Sequence, residues 1–357
     1  MRENRRRVLL RPAGLAYGLV MNVRNRLYDL GILKSWKAHL PVVSVGNLTA
    51  GGTGKTPMVD WIVRFYREAG IGSAIVSRGY RRRTKGVQLV SDGRKVLLGS
   101  RDAGDETAML AANNPDTIVI VAEKRKEGVK YLLTHFHDSL PGVVVLDDAF
   151  QHRKIARDLD IVVINAGEPL DRAAMIPEGR LREPLQNLAR ADLFILGKIT
   201  SEGQASAMAE QLRKTGKPLV KARVAPEALV PFAESRSRPG EKPPTEPVRT
   251  LAFAGIGSPD SFVKSLEHAG LQVVCSRFFG DHEPYSAAEI RKLVLEAEKK
   301  QLRLVTTEKD YFRLLGQPEL LEMLAEKRCC FLRIRPVLYE GETILKEKLL
   351  SLAGCPE

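Results

Sequence analysis

The chain has 357 residues, of which 44% are hydrophobic and 28% are charged, and its formal net charge is +13. This composition is typical of a globular protein and excludes an intrinsically disordered chain or one with many membrane spans. The length predicts two domains, and four cysteines without metal-binding spacing indicate reduced thiols in a cytosolic compartment.

The first 38 residues predict a basic amphipathic helix. Residues 1–40 hold nine lysines and arginines against two acidic residues, so this segment alone contributes +7. Its longest uncharged stretch, residues 12–23, is too short to cross a bilayer. Two interpretations stay open: a helix that lies on an anionic inner leaflet, and a helix that packs its apolar face on the protein's own core. The apolar positions at helical spacing are Leu15, Leu19, Val23, Leu27 and Leu30.

A strand, a glycine-rich loop and a helix follow in the order that a phosphate-binding loop requires. Residues 41–45 predict the strand and residues 58–67 predict the helix. Between them, Lys55 would reach the terminal phosphates and the Thr56 hydroxyl would bind Mg²⁺. Thr49 stands where the first glycine of this pattern normally lies. The predicted nucleotide-binding residues are Thr49, Ala50, Gly51, Gly52, Thr53, Gly54, Lys55 and Thr56.

Strands and helices alternate along the rest of the chain. This rhythm predicts an α/β fold of the P-loop NTPase type, with a mainly parallel sheet and right-handed crossovers. A proline-rich stretch at residues 234–247 predicts a linker or a surface loop. We therefore predict an N-terminal amphipathic helix at 1–38, a P-loop nucleotide-binding domain at 39–228, a linker at 229–249 and a second, smaller α/β domain at 250–357 that closes over the site.

Two adjacent carboxylates, Asp147 and Asp148, directly follow an apolar strand at residues 143–146. In an open parallel sheet the carboxyl end of such a strand points toward the phosphate loop. One carboxylate can hold Mg²⁺ while its neighbour positions Thr56 or Lys55. We predict a metal site formed by Thr56, Asp147 and Asp148, and the alternative is an acidic turn at the end of the strand.

Two further positions stay undecided on the chemistry of their side chains alone. Asp105 begins a predicted helix, where an aspartate commonly serves as the N-terminal cap. Asp281 and His282 follow a predicted strand of the smaller domain, and this pair could close over the nucleotide site. A catalytic role for either position needs a second argument.

Ordered motifs along nearly the whole chain resemble the tetraacyldisaccharide 4'-kinase family, which phosphorylates a lipid A precursor in Gram-negative envelope synthesis. Thr49 is usual at its position in that family. The chain departs from the family pattern at residues 81–83, at Gly280 and Glu283, and in the proline-rich stretch. The motifs are SVGNLTAGGTGKTP at 44–57, SRGY at 77–80, AGDE at 103–106, AEKR at 122–125, LDDAFQHR at 146–153, IPEGRLREP at 176–184, FAGIGSPDSF at 253–262, FFGDHEPY at 278–285 and TTEKD at 306–310.

The resemblance implies that the chain uses ATP and Mg²⁺ to phosphorylate the 4'-hydroxyl of a tetraacyl-disaccharide 1-phosphate in lipid A biosynthesis. It implies that Asp105 is the general base, that His282 pairs with it, and that Lys55 neutralises the transferring phosphoryl group. It also implies a peripheral protein on the cytoplasmic face of the inner membrane of a Gram-negative-type bacterium. We expect a monomer and no nucleic-acid partner.

Substrate contacts are predicted where arginine and polar residues fall within these motifs, because the arginine fork fits phosphate. Surface positions that contact no ligand are the alternative for each arginine. The candidates are Arg78, Tyr80, Arg125, Gln151, His152, Arg180 and Arg182.

Other nucleotide-binding classes fit the sequence less well. A signalling GTPase needs a lysine and an aspartate separated by one residue, whereas these two residues are adjacent in the TEKD motif at 307–310. A partitioning ATPase carries a lysine just before the two glycines of the loop, and a nucleic-acid-binding ATPase would show an aromatic-rich basic platform. A membrane-associated nucleotide switch without kinase activity remains the alternative, because binding and catalysis use the same loop.

Overall fold

The computed structural model describes residues 2–168, 170, 173–199, 202–233, 247–280 and 283–354, and for residues 2–8, 202 and 204 it describes the backbone only. His282 and the proline-rich residues 234–246 lie outside this part of the chain. The α-helices are α1 (Arg2–Asp29), α2 (Lys55–Glu68), α3 (Ser100–Ala103), α4 (Asp105–Asn113), α5 (Arg125–His135), α6 (Glu202–Arg213), α7 (Pro259–His268), α8 (Ala287–Lys300), α9 (Glu308–Leu315), α10 (Pro318–Glu326) and α11 (Glu342–Leu352).

The strands form one sheet with the order β10-β9-β11-β12-β8-β7-β6-β1-β5-β2-β4-β3. Neighbouring strands are parallel except for the pairs β3–β4 and β8–β12. The strands are β1 (Val42–Gly46), β2 (Ser73–Ser77), β3 (Gln88–Asp92), β4 (Ile118–Val121), β5 (Val143–Asp147), β6 (Leu159–Asn165), β7 (Leu193–Gly197), β8 (Leu219–Pro231), β9 (Val248–Ala254), β10 (Leu271–Phe278), β11 (Arg303–Thr307) and β12 (Cys330–Glu340).

The central strands are buried along their whole length because helices cover both faces of the sheet. β1, β2, β5 and β7 have no exposed residue. Val45 of β1 shares one core with Ile62 of α2, whereas Val144 of β5 shares another with Leu132 of α5. Runs of buried apolar residues are typical of parallel strands covered on both faces, which explains why these segments could be recognised from sequence.

The position of β1 in the sheet determines where the functional loops meet. β1 lies between β5 and β6, and Val45 of β1 pairs with Asp147 at the end of β5. The chain therefore leaves both β1 and β5 at the same edge of the sheet. Ligands of open α/β sheets bind at such an edge, where the strand order reverses.

One continuous sheet connects the two predicted domains. β8 pairs in parallel with β7 and in antiparallel with β12, so it joins the strands of the 39–228 region to those of the 250–357 region. β8 also runs past the predicted boundary at residue 228. The division into two domains, with closure of the smaller one over the site, stays a prediction.

Helix α1 buries Met21, Asn25 and Tyr28 against the protein and leaves several of its other apolar residues exposed. Asn25 is buried, and its Nδ2 atom donates a hydrogen bond of 2.8 Å to Glu183. No helix in the described part of the chain is both long enough and apolar enough to cross a bilayer. The exposed apolar side chains of α1 include Leu15, Leu19, Val20 and Val23, and the exposed Leu30 follows directly after the helix.

Candidate active site

A cleft with a volume of about 490 Å³ lies above the carboxyl ends of β1 and β5. The glycine-rich loop after β1 forms its floor, and the starts of α4, α7 and α9 contribute to its walls. Of the residues predicted from sequence to form the site, those that line the cleft are Ala50, Gly51, Gly52, Thr53, Gly54, Lys55, Thr56, Arg78, Tyr80, Asp105, Asp147, Asp148 and Arg182.

The loop has the backbone geometry that phosphate binding requires. Gly51 and Gly54 have φ angles of 111° and 94°, in the region that favours glycine, and α2 begins directly after Gly54. The loop is held by a neighbouring segment, because Ala50 N donates to Arg180 O at 2.7 Å and Arg180 Nε donates to Ala50 O at 2.8 Å. A Cβ atom at Gly51 would clash with the guanidinium of Arg180. The φ angle of Gly51 is the main reason for a glycine at this position, since the arginine side chain could shift.

Asp148 is held between two cations at the floor of the cleft. Arg182 Nη1 donates to both carboxylate oxygens of Asp148, at 2.8 and 2.9 Å, and Lys55 Nζ lies 3.4 Å from Asp148 Oδ1. Burial raises the pKa of Asp148, but Lys55 and Arg182 outweigh it and hold this pKa at about 2. Asp148 is therefore ionised, and it orients the lysine that would reach the phosphates.

Asp147 is the neighbouring carboxylate, and it lies in a different environment. Ser77 Oγ donates to Asp147 Oδ2 at 2.8 Å, while the buried Oδ1 atom has no hydrogen-bond partner among the described residues. Burial, together with the charges of Asp148 and Glu106, raises the pKa of Asp147 to about 6. A buried carboxylate oxygen without a partner is costly, so this atom is suited to a ligand cation.

Thr56, the first residue after Lys55, connects the phosphate loop to the start of α4. Thr56 Oγ1 donates to Glu106 Oε2 at 2.8 Å, and Lys309 Nζ of α9 lies 3.1 Å from Glu106 Oε1. A hydroxyl and carboxylates beside a phosphate loop form the oxygen-rich donor set that Mg²⁺ prefers. Within the described ranges there is no cluster of three histidine, cysteine or acidic side chains that could hold a metal by protein ligands alone. Phosphate oxygens of a nucleotide would complete such a site.

Asp105 lies at the start of α4, where its carboxylate faces the cleft and contacts α9. Arg313 Nε lies 3.4 Å from Asp105 Oδ2. The helix has no side-chain cap at its preceding residue, Gly104. The predicted partner His282 lies outside the described residues.

Four predicted residues support the site from behind rather than line the cleft. Arg125 is 1% exposed and donates to the carbonyl oxygens of Asp147 and Asp148 at 2.9 and 3.3 Å, and burial lowers its pKa to about 10. Gln151 Nε2 donates to Asn47 O at 2.9 Å, beneath the loop. The others are Thr49, which pairs with Leu181, and Arg180, which pairs with Ala50. Both residues hold the loop against the segment at 180–182.

His152 also lies away from the cleft. Burial lowers its pKa to about 3, and the positive charges of Arg125 and Arg78 add to this effect. The imidazole is therefore neutral at physiological pH and carries no charge with which to attract phosphate. Its placement gives no support to the predicted substrate contact.

The cleft contains cationic and acidic residues that received no role from the sequence. Glu106 and Lys309 belong to the AGDE and TTEKD motifs, and these motifs are the sequence signal for both residues. Lys198 follows β7, and its Nζ atom lies 3.5 Å from Ser258 Oγ across the cleft. Arg313 lies outside all the family motifs named above, so no sequence signal pointed to it.

Comparison with known proteins identifies the family to which this chain belongs. A family model described as tetraacyldisaccharide-1-P 4'-kinase matches residues 6–353. The chain belongs to this family. Over 345 residues it is 59% identical to the tetraacyldisaccharide 4'-kinase of Chlorobaculum parvum, an alignment that covers 96% of this chain and 94% of that one. The corresponding protein of Chlorobaculum tepidum is 58% identical, with 97% of each chain covered.

A solved structure of the same family has the same fold. The crystal structure of LpxK from Aquifex aeolicus in complex with ATP matches with a TM-score of 0.75 and 30% identity, and the match covers 97% of this chain and 99% of that one. The predicted family, the mainly parallel α/β fold and the function of an ATP-dependent lipid A 4'-kinase are confirmed. The roles of individual site residues in this kinase stay predictions.

Proposed function

We propose that this kinase transfers the γ-phosphoryl group of ATP to the 4'-hydroxyl of a tetraacyl-disaccharide 1-phosphate, with Asp105 as the general base. The observation that carries this proposal is the placement of Asp105 and Lys55 in one cleft, on different elements. A phosphoryl group between them would have a cation on one side and a proton acceptor on the other. Positioning and charge neutralisation of this kind supply most of the catalysis in phosphoryl transfer.

In the proposed reaction, Asp105 accepts the proton of the 4'-hydroxyl as its oxygen forms a bond to the γ-phosphorus, and the bond to the oxygen of ADP breaks. Lys55 stabilises the charge of the transferring group, and Asp148 with Arg182 fixes the position of Lys55. Thr56 and Asp147 are the proposed Mg²⁺ ligands, since the Oδ1 atom of Asp147 has no partner among the described residues. A bound Mg²⁺ ion would neutralise the phosphate oxygens of ATP.

The test is transfer of radiolabelled phosphate from ATP to a purified tetraacyl-disaccharide 1-phosphate in mixed micelles with Mg²⁺. Lys55→Ala and a reaction without lipid should give no labelled lipid. Lys214→Ala, which changes an exposed lysine that pairs with Glu210, should behave like the unaltered protein. Nucleotide binding without lipid labelling would favour the nucleotide switch.

Asp105→Ala tests the base separately. It should lower turnover by about 10²–10⁴-fold while ATP affinity is kept, because a general base acts on the transition state. Asp116→Ala removes an exposed aspartate that pairs with Arg67 and should leave turnover unchanged. Unaltered turnover in Asp105→Ala would remove Asp105 from the proposed reaction.

The kinase is proposed to act as a monomer at the cytoplasmic face of the inner membrane, on which α1 lies. The exposed apolar side chains of α1 support this proposal, together with the basic residues of the same segment. Such a helix would bring the cleft to a substrate whose acyl chains stay in the bilayer.

Sedimentation with anionic vesicles tests the membrane role. Leu19→Glu should weaken vesicle binding, because it places a charge where an apolar side chain would enter the interface. Leu295→Glu on α8 is the matched control, since both leucines are 65% exposed. Equal sedimentation of the two variants would contradict the role of α1.

A further inference from the structure

Helix α9 places two cations beside the two adjacent carboxylates that begin α4. Lys309 Nζ lies 3.1 Å from Glu106 Oε1, and Arg313 Nε lies 3.4 Å from Asp105 Oδ2. Lys309 and Arg313 are four residues apart, so they lie on one face of α9. These contacts join parts of the chain that are about 200 residues apart in sequence.

Arg313 is fixed from every other side. Its Nη1 atom lies 2.9 Å from Asp310 Oδ1, its Nη2 donates to Gly255 O at 3.1 Å, and its guanidinium lies over the ring of Tyr285, 5.8 Å from the centroid. The side chain of Arg313 is 7% exposed and that of Asp310 is fully buried. Tyr285 in turn donates a hydrogen bond of 2.8 Å to Asp310. The guanidinium therefore has one well-defined position.

The charge of Arg313 does not require Asp105. Asp310 already neutralises the guanidinium at 2.9 Å, and a backbone carbonyl satisfies a second nitrogen. The contact with Asp105, a residue that lines the cleft, is made by the remaining Nε atom. An arginine fork offers several donors in fixed directions, so one guanidinium can be anchored by some of them and orient a second carboxylate with another.

We propose that Arg313 is a positioning residue for the phosphoryl transfer, which holds the Asp105 carboxylate in the orientation that accepts the proton of the 4'-hydroxyl. Lys309 has the corresponding function for Glu106 beside Thr56. This inference rests on the proposed function of Asp105. It gives Arg313 an effect on catalysis that acts through Asp105, because a displacement of about 1 Å at a catalytic group can cost about 10²-fold in rate.

The test is a double-mutant cycle of Arg313→Gln and Asp105→Asn, with turnover and the KM for ATP measured for each variant in the micelle assay. Arg313→Gln should lower kcat by about 10-fold to 10²-fold and change the KM for ATP little. In the Asp105→Asn background the same substitution should cause no further loss, since the group it positions is gone. A purely structural role would lower kcat equally in both backgrounds.

Two further variants keep the test decisive. Arg313→Gln leaves Asp310 buried without its cation, so Arg313→Lys, which retains a charge for Asp310 but lacks the fork, replaces it if the first variant does not fold. Arg291→Gln, an exposed arginine of α8, is the matched control and should not change turnover. Unaltered kcat in the folded Arg313 variant, or an equal loss in both backgrounds, would overturn the inference. Unaltered kcat in Asp105→Asn alone would instead refute the proposed base.

Discussion

Replacing Asp147 with asparagine is expected to stabilise the metal-free protein while it abolishes phosphoryl transfer. Asp147 is 5% exposed, and burial, with Asp148 and Glu106, raises its pKa from the ordinary value of 3.8 to about 6. Since one pKa unit corresponds to about 1.4 kcal/mol, the ionised carboxylate costs about 3 kcal/mol of folding free energy at pH 8. Such a cost is expected where a carboxylate is retained to bind a cation rather than to stabilise the fold.

The dependence of this cost on pH follows from the direction in which folding shifts the pKa of Asp147. The carboxyl group binds its proton more tightly in the folded protein than in the unfolded chain, so the cost is complete above pH 6 and disappears as the pH falls toward 4. An amide at residue 147 can still accept the hydrogen bond from Ser77 and carries no charge. The variant should exceed the unaltered protein in stability by up to about 3 kcal/mol at pH 8 and by about half that at pH 5.

Urea unfolding in EDTA at pH 5, 6, 7 and 8 measures this difference, and the micelle assay measures transfer. Asp116→Asn, at an exposed aspartate, is the control and should show no such pH-dependent difference. Added Mg²⁺ with ATP should stabilise the unaltered protein more than Asp147→Asn, because a ligand stabilises the state that binds it. Equal or lower stability of Asp147→Asn at pH 8, or a difference that does not shrink at lower pH, would refute the electrostatic reasoning. Retained transfer would refute the metal role.

Two other substitutions test the framework around the loop. Glu183→Gln should lower the free energy of unfolding by about 3–5 kcal/mol, because Glu183 is fully buried and pairs with the Arg190 guanidinium at 2.9 Å. Urea unfolding measures this loss, and a loss of less than about 1 kcal/mol would contradict the prediction. Gly46→Ala should cost about 1–3 kcal/mol and reduce nucleotide affinity, because its Cβ would lie 2.6 Å from the backbone of Phe150. Gly203→Ala, where no atom of the described residues lies within 4 Å, should not destabilise the protein, and equal effects of the two alanines would count against the steric argument.

The sequence predicted the parts of the site whose geometry depends on neighbouring residues in the chain. The turn at Gly51 and Gly54 and the start of α2 follow from local backbone preferences. Asp148 was predicted at the end of an apolar strand, and such a strand could be recognised because parallel strands are buried on both faces. The family followed from motifs spread over nearly the whole chain, and the comparisons confirmed it.

The sequence could not predict which side chains meet across the cleft. Gln151 and His152 lie in the same motif as Asp148, yet neither lines the cleft, because the chain turns away from the sheet edge after β5. The contact of Arg313 with Asp105 bridges 208 positions and depends on how α9 docks beside α4. Local spacing carries no information on such a distance.

Helix α1 shows the same division. Its amphipathic pattern was predicted from sequence, but only the tertiary structure shows that Asn25, Met21 and Tyr28 are buried while Leu15 and Leu19 are exposed. The sequence by itself thus determined the phosphate loop and the strand that ends at Asp147, because these depend on residues close together in the chain, and its motifs determined the family. The tertiary structure alone decided which cation accompanies each carboxylate, because ion pairs form between elements that the sheet order brings together.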